Sequence, residues 1–145
     1  MFKHILLPTD GSILSEKSVK QGIRMAKQLG ASVTAVHVTP KVHGYDYPLQ
    51  MLTASNDSIR DNDERRAEEC LHFARKAAAG AAVTCNTLHL VSDQPYKAIV
   101  NIAKKKACDL ILMASHGRRG LEGFLLGSET QKVLTHSTIP VLVYR

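Results

Sequence analysis

The chain alternates between short, continuously apolar runs and longer segments in which apolar side chains recur every three or four residues. The run His4-Ile5-Leu6-Leu7 is of the first kind, and such runs are typical of parallel strands that are buried on both faces. Apolar or β-branched runs predict strands at residues 4–7, 32–38, 82–91, 109–114 and 140–144.

The segments between these runs have helical spacing. Val19 and Ile23 lie on one face of a segment that begins at Ser12 or Ser15 and ends at Leu29. Further helices are predicted at residues 60–78, 95–106 and 128–136. The expected end signals are Gly30 and Gly80 after the first and second helices, and Pro95 as the first residue of the third, after Ser92 or Asp93 as cap.

The predicted order is β-α-β-α-β-α-β-α-β, which is typical of an α/β fold. With right-handed crossovers, we predict one domain over residues 1–145: a doubly wound, five-stranded parallel sheet in the order 3-2-1-4-5, with helices on both faces. Ligands of such sheets bind beyond the carboxyl ends of the strands where the order reverses. Here those ends are residues 8–12 (PTDGS) and 114–117 (ASHG).

Composition narrows the classes of partner. The 145 residues carry a formal charge of +6, which suits an anionic partner without identifying it. Aromatic residues are only 5% and Trp is absent, which disfavours a stacking platform for single-stranded nucleic acid. The sequence has no run of about 18 apolar residues that could span a membrane. Its three cysteines form no CxxC pair, so a reduced, cytoplasmic compartment fits best.

No metal site and no catalytic residue are predicted. The seven histidines form neither an HxxxH nor an HExxH pair, and no GxSxG segment is present. A hydrolase triad could be read from Asp10 and His116 with Ser12 or Ser115 as nucleophile. A turn and a helix cap explain Asp10 and Ser12 more simply.

The informative segment is 114–129, ASHGRRGLEGFLLGSE. It is neither a Walker loop nor a GxGxxG turn. We predict Ser128 as a helix N-cap, with Gln131 completing a capping box, and the amides of that helix start favour a phosphate. Arg118 and Arg119 add positive charge. Turn glycines and a capped helix would explain the segment without a ligand, but its position after the fourth strand favours an anion site.

These residues resemble the universal stress protein family, and the resemblance covers essentially the whole chain. Nucleotide-binding members carry the pattern Gly-x2-Gly-x9-Gly-Ser/Thr after strand 4. This chain has Ala114-x2-Gly117-x9-Gly127-Ser128, so alanine replaces the first glycine. The opening ILLPTDGS and the ending IPVLVYR are also similar to the ends of that family.

The resemblance implies an ATP site, with Asp10 hydrogen-bonding the ribose or a bound cation such as Mg²⁺. It implies that Val38 contacts the adenine through its backbone. The remaining implied contacts are Pro8 and Thr9 on the base and ribose side, Met113 and Ala114 as the floor, His116 and Gly117 beside the ribose and phosphates, and Gly127, Ser128 and Glu129 at the phosphates.

Two functions follow as hypotheses. The first is a dimeric switch that responds to a bound adenine nucleotide and engages an unknown protein partner, with residues 39–57 as its mobile loop and at most slow ATP hydrolysis. The second is a dimeric interaction module without nucleotide, which Ala114 favours. The apolar strand from Pro140 to Tyr144 is an edge in the predicted order, so we expect it to pair with its twin in a homodimer.

Overall fold

The structure is a computed structural model that describes residues 1–41, 56–118 and 125–145. The elements are β1 (His4–Pro8), α1 (Ile13–Leu29), β2 (Ser32–Thr39), α2 (Asn56–Ala81), β3 (Cys85–Val91), α3 (Pro95–Lys105), β4 (Leu110–Ala114), α4 (Ser128–His136) and β5 (Val141–Tyr144). The strands are parallel, in the order β3-β2-β1-β4-β5. The predicted fold class and strand order are therefore confirmed.

The sheet separates two hydrophobic layers, which explains why its central strands are continuously apolar. Ile5 and Leu7 face the layer formed with α1 and α2. Leu6, between them, faces the layer formed with α3 and α4. Successive side chains of a strand point to opposite faces, so a strand covered on both faces has no position for an exposed polar residue.

Several predicted helix ends are confirmed. Ser12 is the N-cap of α1, and its hydroxyl accepts the N–H of Ser15. Gly30 ends α1 in the left-handed region at φ 65°, a conformation that costs glycine little. Pro95 is the first residue of α3, as predicted.

Other boundaries differ from the prediction. Helix α2 continues through Gly80 to Ala81, and the turn falls at Ala82, which has φ 56°. The alanine-rich end of α2 has high helix propensity and carries the helix past the glycine. Strand β3 consequently begins at Cys85 rather than at residue 82. The N-cap of α3 is Gln94 rather than Ser92 or Asp93.

The predicted loop at residues 39–57 is only partly described. Thr39 ends β2 and α2 begins at Asn56. Residues 42–55, which make up most of that loop, lie outside the described residues. None of the helices described here is long and apolar enough to cross a membrane.

Two helical glycines form a matched test of the packing between α1 and β1. A Cβ on Gly22 would lie 2.4 Å from Cδ2 of Leu7, a side chain that is fully buried. We expect Gly22→Ala to lower the free energy of unfolding by about 1–3 kcal/mol, because the core must shift to admit a methyl group. Urea denaturation measures this change.

Gly80→Ala is the control, because a Cβ there meets nothing within 4 Å. Alanine is the better helix former, so this variant should be unchanged or more stable, by up to about 1 kcal/mol. Equal stability of Gly22→Ala and wild type would contradict the packing described here.

Candidate functional site

The turns after β1 and β4 meet where the strand order reverses. The carboxylate of Asp10 joins them. Its Oδ1 accepts the N–H of Ser12 at 3.0 Å, and its Oδ2 accepts the N–H of Arg118 at 2.8 Å. The first bond closes the turn into α1, and the second holds the turn that follows β4 across the crevice. The structure thus brings together the two segments that the fold rule singled out.

These hydrogen bonds also set the charge of Asp10. Burial alone would raise the pKa of this carboxyl, but bonds from Ser12 and Arg118 and the positive charge of Arg118 outweigh it and lower the pKa. Hydrogen bonds that stabilise the charged form have this effect. Asp10 is therefore a carboxylate at neutral pH.

Two glycines in these turns occupy positions with no room for a side chain. A Cβ on Gly117 would lie 2.2 Å from Oδ2 of Asp10, which is far inside van der Waals contact. Gly11 has φ 76°, and a Cβ there would lie 2.7 Å from Sγ of Cys70. Gly117 is thus required by a close approach, and Gly11 also by its left-handed backbone.

The start of α4 is fixed to the end of β4. The N–H of Gly127 donates to the carbonyl of Ser115 at 2.8 Å, and the hydroxyl of Thr130 donates to the carbonyl of Ala114 at 3.0 Å. A Cβ on Gly127 would lie 3.2 Å from Cα of His116. The first amides of α4 therefore face the same end of the sheet as Asp10.

The predicted capping box is wrong. Gly127 is the N-cap of α4, with no side-chain cap, and Ser128 is the first helical residue. The side chain of Gln131 donates instead to the carbonyl of Leu126. The tertiary bond from Gly127 to Ser115 decides where the helix begins, which a local sequence pattern does not include. The first N–H groups of a helix have no intrahelical acceptor, so the start of α4 can donate to an anion.

Ala114 occupies an ordinary strand position. It is the last residue of β4 and pairs with Tyr144 of β5. Among the described residues outside glycine, positive φ occurs only at Ala82 and Ala107. The replacement of the first motif glycine by Ala114 therefore strains no backbone.

The other predicted site residues lie around this crevice in different settings. Pro8, Thr9 and Met113 are buried at the strand ends, whereas Val38 is half-buried near the end of β2. His116 is half-buried, with its Nδ1 3.1 Å from the hydroxyl of Ser115. Ser128 is exposed at the start of α4.

Glu129 turns its side chain toward α3. Its Oε2 accepts the N–H of Tyr96 at 2.8 Å, and its Oε1 pairs with Nζ of Lys132 at 3.0 Å. Any contact of Glu129 with a phosphate is therefore limited to its backbone amide.

His37 is a buried group beneath the crevice that the sequence reasoning missed. It is 5% exposed, and its Nδ1 lies 2.8 Å from the carbonyl of Thr9. A carbonyl only accepts, so Nδ1 carries the proton. Burial lowers the pKa of His37, and nearby His89 adds to this effect, although the bond to Thr9 opposes it. Its place between Val36 and Val38 in a strand predicted to be buried was the available signal.

A second cleft, of about 470 Å³, lies at the ends of β2 and β3 beside α2. Its charged lining residues are of both signs: Lys41, Arg60, Asp63 and Glu64. None of the predicted site residues lines it. Position at the switch point, rather than cleft volume, therefore identifies the candidate site.

Among the described residues, the thiols and acidic groups suggest no further catalytic or metal site. Burial raises the pKa of Cys70 and Cys85, and it raises that of Cys108 to about 11. These cysteines are unpaired and behave as small apolar residues. In the described part of the chain, no three His, Cys, Asp or Glu side chains cluster in a way that could hold a metal ion.

The fold and the site define a doubly wound α/β protein whose switch-point crevice combines a carboxylate, a glycine turn and a helix start. The model of the universal stress protein family matches residues 1–145, and the chain belongs to that family. The resemblance inferred from the sequence is confirmed.

Two relatives illustrate the match. Universal stress protein MJ0531 of Methanocaldococcus jannaschii is 33% identical over 145 residues, covering all of this chain and 83% of that protein. Universal stress protein YxiE of Bacillus subtilis is 32% identical over 152 residues, covering all of both proteins.

Solved structures show the same fold. Protein MJ0577, also of Methanocaldococcus jannaschii, superposes with a TM-score of 0.81 at 27% identity, over 99% of this chain and 96% of that one. A universal stress protein solved with cAMP gives 0.74 at 22% identity, over 99% and 97%. One from Archaeoglobus fulgidus, solved with dAMP, gives 0.70 at 20% identity, over 100% and 98%.

Replacement of His37 tests its buried, neutral state. In the unfolded chain this histidine binds a proton near pH 6.5, whereas the folded protein binds it only at lower pH. The unfolded state therefore binds more protons below about pH 6.5, and wild type loses stability as the pH falls. We expect His37→Asn, whose amide can still donate to Thr9, to lose less stability between pH 7.5 and 5.5. Urea unfolding at both pH values measures this, and equal losses would contradict it.

Proposed function

We propose that the protein binds an adenine nucleotide, ATP in the first instance, in the crevice between the ends of β1 and β4. The observation that carries the proposal is the contact of Asp10 with the Gly117–Arg118 turn, which joins a carboxylate to the glycine turn that follows β4. Similar proteins have been solved with cAMP and dAMP. These ligands share the adenine base, a sugar and a phosphate.

The phosphates would be held at the start of α4. The backbone amides of Ser128 and Glu129 point out of the first helical turn, and the hydroxyl of exposed Ser128 adds a donor. The positive end of the helix dipole favours an anion there. Gly127 keeps this turn close to the end of β4, where His116 and Gly117 would border the ribose and phosphates.

The base and ribose would lie nearer β1 and β2. Asp10 is ionised, and within the described part of the chain each of its carboxylate oxygens accepts one backbone N–H. Both oxygens therefore retain capacity for a ribose hydroxyl. Val38 would meet the adenine through its backbone. Pro8, Thr9, Met113 and Ala114 would complete the floor.

Asp10 is also the carboxylate available to a magnesium ion brought in with ATP. Mg²⁺ is usually held by one or two carboxylates together with phosphate oxygens and water. A single carboxylate beside the phosphate position fits this pattern, and no larger acidic cluster is needed.

We further propose that nucleotide occupancy acts as a switch in the cytoplasm. The turn around Gly117 directly follows β4, and the start of α4 is hydrogen-bonded to the end of β4. A ligand held by both would therefore stabilise their relative position. The changed surface would then be read by a protein partner. The three unpaired cysteines fit a reduced compartment.

The protein is also proposed to be a homodimer through residues 140–144. Strand β5 is an edge of the sheet, and its residues 141–144 remain half-exposed. The carbonyl of Pro140 accepts the N–H of Ile111 in β4, and that of Tyr144 accepts the N–H of Ser115 just after β4. The backbone hydrogen-bonding groups of successive strand residues point to opposite edges of the strand. Val141 and Val143 thus present their N–H and carbonyl groups to the free edge, where a second copy can pair.

Nucleotide binding is tested by native purification, mass spectrometry of released small molecules and calorimetric titration with ATP. We expect Gly117→Ala to weaken ATP binding at least tenfold, because its methyl group must displace the Asp10 carboxylate. Gly80→Ala, whose methyl group meets nothing within 4 Å, is the matched control and should bind as wild type.

A wild-type protein that carries no nucleotide and binds no ATP at millimolar concentration would contradict the proposal. The function would then be that of a protein-interaction module. Equal affinity of Gly117→Ala and wild type would contradict the placement of the site.

The dimer is tested at its edge strand. Val143→Pro removes one N–H from the free edge without removing a donor to β4. Proline is tolerated on edge strands, so the strand itself should persist. We expect it to be monomeric at micromolar concentration by light scattering, while Val143→Thr, which keeps the N–H and the β-branched shape, remains dimeric. A monomeric wild type, or a dimeric Val143→Pro, would contradict the proposed interface.

A further inference from the structure

The hydrogen-bond acceptor for a free N–H at the start of α3 is a side chain from another helix, α4. Its own N-cap, Gln94, makes no side-chain capping bond, and its first turn contains no acidic residue. The Oε2 of Glu129, 33 positions away in α4, accepts the N–H of Tyr96 at 2.8 Å. A carboxylate is a favourable partner for the start of a helix, because it satisfies a free N–H and the positive end of the dipole.

A group of side chains extends this connection, and we call it the α3–α4 clasp. It consists of Glu129, Lys132 and His136 of α4 with Tyr96 of α3. Lys132 pairs with Oε1 of Glu129 at 3.0 Å, and its Nζ lies 5.5 Å from the centre of the Tyr96 ring. The rings of Tyr96 and His136 lie 5.1 Å apart. The clasp therefore holds one face of α4 against the first turn of α3.

The clasp also resolves an electrostatic conflict. Glu129 lies in the first turn of α4, the same turn whose amides would hold the phosphates. An uncompensated carboxylate there would repel a polyanion. Both of its oxygens are instead directed to partners that are positive: one to the start of α3 and the other to Lys132.

We propose that Glu129 is a positioning residue that sets the preference of the site for phosphorylated adenosine ligands. Through the clasp it fixes the α4 amides relative to α3, while its charge is neutralised away from the crevice. The end of β4 anchors α4 from one side, through Gly127 and Thr130, and the clasp anchors it from the other. This inference rests on the proposed nucleotide site.

The test compares ATP with adenosine, which has no phosphate, in wild type, Glu129→Ala and Glu129→Gln. The alanine variant loses the acceptor for Tyr96. We expect its ATP affinity to fall at least fivefold while its adenosine affinity stays within twofold of wild type. The glutamine variant keeps a carbonyl oxygen for Tyr96 and removes the negative charge, so its preference for ATP over adenosine should be retained or increased.

Hydrogen exchange at the Tyr96 amide gives a readout that is independent of nucleotide. We expect faster exchange in Glu129→Ala and near wild-type exchange in Glu129→Gln. Unchanged Tyr96 exchange in Glu129→Ala would overturn the clasp.

The outcomes separate this proposal from the one on which it rests. Wild-type protein that binds neither ATP nor adenosine overturns both. Wild-type binding of ATP, combined with a parallel loss of both ligands or with no loss in Glu129→Ala, overturns only the positioning role.

Discussion

The site depends on one carboxylate that holds two turns together. Asp10 follows β1, and its two oxygens accept N–H groups from the turn into α1 and from the turn after β4. These turns are 108 positions apart in the chain, and no regular secondary structure joins them at this point. Because a charged acceptor forms stronger hydrogen bonds than a neutral one, the ionised state of Asp10 supports the geometry of the crevice.

The need for small residues around Asp10 follows from this contact. Gly117 must leave room for the carboxylate, and Gly127 must let the start of α4 pass beside His116. Ala114, by contrast, lies in a strand whose extended backbone accepts any residue. The glycines of the family pattern are therefore not equivalent. Two are required by close approach, while the first position admits a methyl group without backbone strain.

The charge at the start of α4 is also set by contacts with another part of the chain. A helix start that is to hold phosphates cannot easily accept a free carboxylate in its first turn. Glu129 is accommodated because α3 begins nearby and lacks a capping side chain of its own. One residue thus satisfies the start of one helix while leaving the amides of another available to a ligand.

The sequence by itself determined the order of the elements, the parallel sheet and the location of the switch point, because apolar periodicity and end signals such as Gly30 are local properties. It also pointed to Gly117 and Ser128 by their place after the fourth strand, and to Asp10 by its place after the first strand and by the family resemblance. Only the tertiary structure decided that Gly127 rather than Ser128 caps α4, that His37 is buried under Thr9, and that Glu129 faces α3. Each of these depends on a hydrogen bond between segments distant in the chain, and such a partner is not written in local sequence.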